Sequence, residues 1–152
     1  MAQTTVYRAS SEQLEQAFAM VVEYYEAVDV VVREDRETFR KQYFAEDSGV
    51  WLATFEDEIV GCVALRRLKG SGDAAEIKRM YVRPAHRGKG IADLLVKELE
   101  KFARDFGYVW LYLDTAAVMV AAARFYERHG FEDCERYNDN PQAAIFMRKR
   151  LS

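Results

Sequence analysis

An amphipathic helix followed directly by an apolar strand is the feature that most constrains the fold of this chain. Between residues 91 and 106, apolar side chains recur at helical spacing opposite charged ones, and Gly107 ends the pattern. Residues 108–113 are almost all apolar, which is typical of a strand buried on both faces of a sheet. Because a strand over residues 75–82 precedes the helix, the sequence predicts a parallel strand–helix–strand crossover.

The rest of the pattern predicts further strands and helices on either side of this crossover. Turn-forming residues separate the other apolar runs, and Gly130 stops the last helix. The predicted strands cover residues 4–9, 50–55, 59–68, 131–137 and 143–151, and the predicted helices cover residues 11–27, 37–45 and a segment that ends at 129. This order of elements describes a mixed α/β domain with one parallel crossover.

Composition and charge narrow the classes of function. The chain has 152 residues, of which 50% are hydrophobic and 31% are charged, so we expect one soluble domain spanning residues 1–152. No apolar run approaches the roughly 20 residues that span a bilayer. Residues 1–8 do not resemble a secretory signal, so we expect a cytoplasmic protein without a membrane partner. A net charge of -3 offers no bulk attraction to nucleic acid, which disfavours it as a partner.

The cysteines and histidines argue against metal chemistry. Cys62 and Cys134 lie far apart in the sequence, and a structural zinc site needs four ligands, where the chain has only two residues of each type. We therefore predict no metal site. Cys62 lies within an apolar run, which favours a buried, inert thiol over a reactive one.

A turn that contains two glycines carries the clearest functional signal. Residues 87–92, with the sequence Arg-Gly-Lys-Gly-Ile-Ala, lie between a predicted strand and the start of the long helix. The glycines leave backbone N–H groups unobstructed, and a helix N-terminus adds free donors and a positive dipole end. The turn is therefore predicted to bind phosphate, with a tight turn that binds nothing as the alternative. Its spacing matches neither an ATP-type P-loop nor a dinucleotide motif.

This turn resembles the pyrophosphate signature of the GCN5-related N-acetyltransferase (GNAT) family. That signature is Q/R-x-x-G-x-G/A, and Arg87, Gly90 and Ala92 match it. Residues 80–84, Met-Tyr-Val-Arg-Pro, resemble the family's fourth strand and the loop after it. Residues 124–131 resemble its second signature, a helix that bears a tyrosine and closes in Gly-Phe. The order of elements also fits, so the resemblance covers essentially the whole chain.

The resemblance implies an architecture and a cosubstrate. In this family the sheet is mixed and mostly antiparallel, and helices cover both of its faces. The parallel fourth and fifth strands splay apart and admit the pantetheine arm of acetyl-coenzyme A, the cosubstrate, and no metal is involved. The residues that the resemblance assigns to coenzyme binding are Met80, Tyr81, Val82, Arg87, Gly88, Lys89, Gly90, Ile91 and Ala92.

Two catalytic residues are also implied by the resemblance. Tyr126 matches the family's tyrosine acid, and a phenol of pKa about 10 suits protonation of a thiolate leaving group. Glu76 lies where several members place a glutamate that accepts the amine proton, directly or through water. The backbone amide of Met80 is expected to stabilise the oxyanion. The alternatives are a Tyr126 that only packs and a Glu76 that is an exposed charge beside Lys78.

Three further positions bear on the predicted site: one departs from the family pattern, and two are histidines. Many members carry an asparagine that contacts the coenzyme seven residues before the tyrosine, and this chain has Met119 there. One polar contact to the pantetheine arm is therefore expected to be missing. Histidine is a common catalytic residue, so His86 and His129 are candidates for such a role. His86 lies in a predicted surface loop and His129 at a predicted helix end, and both are expected to be solvated instead.

The function implied by the resemblance is direct transfer of an acetyl group from acetyl-coenzyme A to a primary amine of a small molecule or peptide, within a ternary complex. The alternative is a regulatory module that binds coenzyme A without turnover. The acceptor site is expected near residues 24–44 and the late hairpin, where Glu23, Glu26 and Asp29 either attract a cationic amine or form a solvated helix face. The oligomeric state stays open, with a homodimer as one option.

Overall fold

The computed structural model describes residues 3–116 and 120–151, which fold around one seven-stranded sheet. The strands are β1 (Thr4–Arg8), β2 (Gly49–Phe55), β3 (Glu58–Arg67), β4 (Ala74–Val82), β5 (Trp110–Thr115), β6 (Glu132–Asp133) and β7 (Ile145–Arg150). The helices are α1 (Leu14–Ala27), α2 (Arg36–Tyr43), α3 (Ile91–Phe106) and α4 (Val120–Arg128). None of these four helices is long and apolar enough to cross a membrane.

The sheet is mixed, and its strand order is β1-β2-β3-β4-β5-β7-β6. In the part of the chain that the structure describes, all neighbouring strands are antiparallel except β4 and β5, which are parallel. Helices α3 and α4 pack on one face through a core that includes Leu65, Leu99 and Leu111. Helices α1 and α2 pack on the other face through a core that includes Val21 and Phe39. The predicted fold class and its parallel crossover are confirmed.

Glycines in the left-handed region bound α3 at both ends. Gly90 (φ 78°) precedes its first turn, and Gly107 (φ 109°) follows its last, where the Gly107 N–H donates to Ala103 O. Tyr108 belongs to this helix exit rather than to the strand, because its N–H also donates to Ala103 O. As a result β5 begins at Trp110 and not at residue 108, where the apolar run begins.

The sixth strand is much shorter than the sequence predicts. The predicted strand covers residues 131–137, but β6 covers only Glu132–Asp133, and its last ladder bond runs from the Cys134 N–H to a carbonyl of β7. The side chains of Tyr137 and Asn138 instead turn towards β4 and β5, where they donate hydrogen bonds to carboxylates. This segment therefore leaves the sheet because its polar side chains have partners elsewhere.

A bulge bends β4 beside the parallel pair. Lys78 lies opposite Ala64 and Tyr81 opposite Cys62, so β4 has one more residue than β3 between these two register pairs. The extra residue falls around Arg79, whose φ of 59° is in the left-handed region. A β-bulge leaves one residue unpaired and increases the local twist, so β4 turns away from its parallel neighbour here.

The parallel strands separate just where the bulge begins. Their register pairs end at Glu76 opposite Tyr112, although β4 continues to Val82 and β5 continues to Thr115. Beyond this last pair β5 is paired only with β7. The gap between the two strands opens into a cleft, as the splayed pair of the resemblance implies.

Candidate active site

A cleft of about 1000 Å³ begins where β4 and β5 separate. Residues 77–82 of β4 and 113–115 of β5 form its side walls, together with side chains of α4. The turn before α3 closes one end, which we call the turn end (residues 86–92). The segments between α1 and α2 and between β6 and β7 close the other, which we call the far end (residues within 28–34 and 138–142, with the adjoining Lys78, Arg79 and Asp114 of the walls).

The turn end is built around two left-handed glycines. Gly88 (φ 77°) and Gly90 (φ 78°) both lie in a region that L side chains rarely adopt, and a Cβ at either position would meet no atom within 4 Å. The backbone is therefore open on this side. Arg87 is held next to it, because its Nε donates to Val82 O at 2.8 Å. Since the first N–H groups of α3 have no acceptor within the helix, this end suits an anion.

Most of the predicted coenzyme-binding residues line either the turn end or the adjoining part of β4. The ones that do are Met80, Tyr81, Val82, Arg87, Gly88, Gly90, Ile91 and Ala92. Lys89 points elsewhere, with its ammonium 5.1 Å from the centre of the Phe55 ring. Met80 lies in the bulge and has no register partner on β3. Its backbone N–H can serve as an oxyanion donor only if the sheet does not already use it, and the missing partner is consistent with that requirement. Its role as oxyanion donor stays a prediction.

Tyr126 lines the cleft from α4. Its ring lies between those of Phe125 and Phe131, with ring centres 5.1 and 5.4 Å away, and 5% of the residue is exposed. Burial raises the pKa of Tyr126, so its phenol stays protonated at neutral pH and keeps a proton to donate. The residue thus both packs and faces the cleft, and its role as an acid stays a prediction.

Glu76 is buried beneath the cleft and is not part of its wall. Only 2% of the residue is exposed, so the alternative of an exposed charge is wrong. Its Oε1 accepts from Nε and Nη2 of Arg66, both at 3.2 Å, and its Oε2 accepts from the Tyr137 hydroxyl at 2.7 Å and from Asn138 Nδ2 at 3.2 Å. Because this carboxylate is buried and does not line the cleft, a proton from the cleft would have to reach it indirectly, as in the water-mediated route that the resemblance allows. Its role as proton acceptor stays a prediction.

The far end contains buried charges that the sequence analysis did not assign to the site. Glu34 accepts from Arg79 Nη2 at 2.8 Å, and Asp114 accepts from Asn138 Nδ2 at 2.6 Å. The side chains of Glu34, Lys78, Arg79 and Asp114 are 7–11% exposed, and all four line the cleft. Within residues 3–116 and 120–151, no three or more of the histidine, cysteine, aspartate and glutamate side chains are grouped to hold a metal ion.

Electrostatics keep the far-end carboxylate Glu34 ionised. Burial, the largest single influence, would raise the pKa of Glu34, but the Arg79 guanidinium, the Tyr25 hydroxyl and the Arg66 charge together outweigh it, so the pKa lies below its ordinary value. The sequence does contain a signal for this end of the cleft, because the charged residue Asp114 directly follows the apolar run of residues 108–113. No signal pointed to Arg79, because the bulge that turns its side chain depends on the register with β3.

The three acidic residues proposed from the sequence to attract an amine lie outside the cleft. Glu26 and Asp29 are exposed. Glu23 accepts hydrogen bonds from Arg83 Nε and from the Tyr81 hydroxyl, both at 2.9 Å. Direct contact with an amine in the cleft therefore falls to the carboxylates of the far end, and attraction of an amine by these three residues stays a prediction.

The expectation that both histidines are solvated is wrong for His86, whereas His129 is a partly exposed residue beside Asp93. His86 lines the turn end, and its Nδ1 is buried without a hydrogen-bond partner among the described residues. His129 Nε2 lies 2.7 Å from Asp93 Oδ1, and its ring centre lies 4.6 Å from that of Phe125. Met119, where the chain departs from the family pattern, lies outside the described residues.

The chain is similar to acetyltransferases in sequence. The model of the acetyltransferase (GNAT) family matches residues 14–131. An uncharacterized N-acetyltransferase of Schizosaccharomyces pombe is 39% identical over 94 residues, which make up 61% of this chain and 57% of that protein. The chain spans about half the length of the curated relatives that it matches.

Solved structures share the fold. An acetyltransferase of the GNAT family from Staphylococcus aureus matches with a TM-score of 0.83 at 18% identity, over 99% of this chain and 100% of that chain. The PaiA N-acetyltransferase of Thermoplasma acidophilum, solved in complex with coenzyme A, matches with a TM-score of 0.73 at 20% identity, over 98% of this chain and 99% of that chain. At these identities the likeness concerns the fold alone.

Proposed function

This chain belongs to the acetyltransferase (GNAT) family, and we propose that it is an enzyme that transfers the acetyl group of acetyl-coenzyme A to a primary amine of a small molecule or peptide. The observation that carries this proposal is the cleft at the β4–β5 gap, which joins a two-glycine turn at a helix N-terminus to a far end lined by charged and polar side chains. Both substrates are proposed to lie in this cleft end to end. The transfer would then be direct, within one ternary complex.

Acetyl-coenzyme A is proposed to lie along the cleft with its diphosphate at the turn end. Backbone N–H groups of residues 88–92 would bind the phosphate oxygens, and Arg87 would add a positive charge beside them. The pantetheine arm would lie in the gap next to Met80 and Val82, where the bulge leaves β4 without a parallel neighbour. This arrangement accounts for an anion site in a chain whose net charge is -3.

Three groups are proposed to assist the chemistry. The neutral amine attacks the thioester carbon, so a C–N bond forms while the carbonyl electron pair moves to oxygen, where the Met80 N–H stabilises it. When this intermediate collapses, the C–S bond breaks and Tyr126 donates its proton to the thiolate. The proton released from nitrogen passes through water to Glu76 and is returned through solvent to Tyr126, so that the products are an amide and free coenzyme A.

Amine-dependent release of the coenzyme A thiol tests the proposal. A panel of amino acids, polyamines, aminoglycosides and peptide N-termini is incubated with acetyl-coenzyme A, and the acetylated products are identified by mass spectrometry. We expect release with at least one class and little release without an amine. Binding of acetyl-coenzyme A with no release across the whole panel would contradict the proposal and favour the regulatory module.

A further inference from the structure

The far end of the cleft indicates which class of amine it accepts. We propose that the acceptor is an amino acid bound as a zwitterion, with Lys78 and Arg79 receiving its carboxylate. This inference rests on the proposed acetyl transfer and adds the class of acceptor to it. It follows from an imbalance among these largely buried charges, because each carboxylate accepts hydrogen bonds on both oxygens, whereas Lys78 and Arg79 keep donors that have no partner among the described residues.

Three carboxylates lie at the far end (Glu34 and Asp114) or beneath it (Glu76), and each accepts hydrogen bonds on both oxygens. Glu34 accepts from Arg79 and from two tyrosine hydroxyls. Glu76 is held by four donors, and Asp114 accepts from two asparagine amides at 2.6 and 3.3 Å. Each carboxylate is therefore already paired and does not require an N–H group of a ligand, although Asp114, with two accepted bonds, keeps room for one.

The cations at the same end have donors to spare. Arg79 donates from Nη2 to Glu34, but its Nε is buried and has no partner among the described residues. Lys78 Nζ lies 3.8 Å from Glu76 and 3.7 Å from Asp114, and both distances exceed that of a hydrogen bond. The two side chains are 10% and 11% exposed. Because a buried donor without an acceptor is unfavourable, an anionic ligand group is expected beside them.

The bulge explains how two consecutive residues reach the same face of β4. In a regular strand, neighbouring side chains point to opposite faces. The left-handed backbone at Arg79 (φ 59°) turns its guanidinium to the α1 side, where it lies 5.0 Å from the centre of the Tyr25 ring. Lys78 already faces that side together with Glu76. The bulge that opens the gap for the coenzyme therefore also brings two cations to the acceptor.

The balance of charge also favours a zwitterion over a simple amine. The ionised side chains at or beneath the far end are Arg66, Lys78, Arg79, Glu34, Glu76 and Asp114, together with the solvent-exposed Asp139 at its rim. Without the exposed Asp139 they sum to zero, so a monoamine or polyamine would add positive charge that these six groups do not compensate. An amino acid adds no net charge. Asp114 lies beside Lys78 and offers a partner to the ammonium group before it is deprotonated.

Matched pairs of acceptors test the inference directly. Alanine, leucine and phenylalanine are compared with alaninamide, leucinamide and phenylalaninamide, which keep the amine and the side chain but lack the negative charge. We expect at least one amino acid to exceed its amide at least about tenfold in kcat/KM, the effect of losing a charged hydrogen-bond partner. Equal or faster acetylation of every amide would overturn the inference.

Two variants connect this preference to the named cations. Lys78→Gln is the cleaner one, since the ammonium makes no hydrogen bond to the described residues, and Lys69→Gln in the exposed β3–β4 hairpin is its matched control. We expect Lys78→Gln to lower kcat/KM for the amino acid at least about tenfold and for its amide less than about threefold. Arg79→Gln should act in the same direction. Equal losses for acid and amide, or weakened acetyl-coenzyme A binding, would overturn the assignment.

Calorimetry on the protein saturated with coenzyme A separates this inference from the proposed function. Binding of leucine or another amino acid of the panel, weakened by Lys78→Gln, supports the inference even if no thiol is released, and then only the proposed transfer fails. Acetylation of amines without any binding of amino acids overturns the inference alone. If no amino acid binds and no amine is acetylated, both are overturned.

Discussion

The Tyr137 hydroxyl donates a 2.7 Å hydrogen bond to Glu76 Oε2 and so joins the segment after β6 to the middle of β4. Burial and then the Glu76 charge raise the pKa of Tyr137, so the phenol keeps its proton and remains the donor at neutral pH. The bond fixes the carboxylate beneath the cleft. It also shows that residues past β6 serve the site and are not available to extend the strand.

Glu76 is predicted to take part in proton transfer through water. Glu76→Gln should lower turnover near neutral pH, because the amide cannot accept the proton. Tyr137→Phe is the matched control, since it removes one hydrogen bond and keeps the carboxylate, and it should retain most of the turnover. A Glu76→Gln protein with the parent turnover would show that the carboxylate only holds Arg66 and Asn138 in place.

Gly90 is predicted to be essential for binding of the coenzyme. Gly90→Asp places a side chain and a negative charge where the diphosphate is proposed to lie, and should weaken acetyl-coenzyme A binding at least about tenfold in calorimetry. Gly70→Asp is matched in backbone strain, because Gly70 has a φ of 83° and open space around it in a distant hairpin. It should bind normally. A folded Gly90→Asp protein with unchanged affinity would rule out this site for the phosphates.

Tyr126 is predicted to protonate the departing thiolate. Tyr126→Phe keeps the ring between Phe125 and Phe131 and removes only the hydroxyl, so the chemical step should slow by about 100-fold or more while coenzyme binding is nearly retained. Single-turnover rates are the right measurement, since product release can mask the loss. Tyr108→Phe, whose hydroxyl donates to Asp47 O away from the cleft, should keep the parent rate. Acetylation by Tyr126→Phe at that rate would assign the acid to another group or to water.

Cys62 is predicted to be unreactive in the folded protein. It is fully buried and burial raises the pKa of its thiol to about 12, whereas Cys134 is partly exposed. A thiol reagent at neutral pH should therefore label the native protein at Cys134 and label Cys62 only after denaturation. Mass spectrometry of the labelled peptides distinguishes the two sites. Equal labelling rates in the native protein would contradict the burial of Cys62.

The same thiol predicts a loss of stability at alkaline pH. The Cys62 pKa is raised on folding, so its contribution to the free energy of unfolding is complete below the unfolded thiol pKa of about 8.5. That contribution declines as the pH rises towards the folded pKa of about 12, because the unfolded chain alone ionises. Denaturant unfolding between these limits should show a shallower decline in Cys62→Ala than in the parent. Identical slopes would contradict the prediction.

Much of the fold could be predicted from local patterns, because the side chains on one face of a helix or strand recur at a fixed spacing in the sequence. The apolar stripe of α3, its bounding glycines and the apolar run that becomes β5 all depend on contacts within a few residues. The strand predicted over residues 131–137 failed for the opposite reason. Tyr137 ends the predicted strand and Asn138 directly follows it, but their hydrogen-bond partners lie 61 and 62 residues away on β4.

The sequence by itself determined the α3 turn, the order of elements and the position of Tyr126 on the last helix, since each is a matter of local spacing. Only the tertiary structure decided which charges meet in the cleft. Arg79 reaches Glu34 across 45 residues because a register shift against β3 turns its backbone. Burial then decides which donors are left without partners, and burial is a property of the packed chain that no local pattern contains.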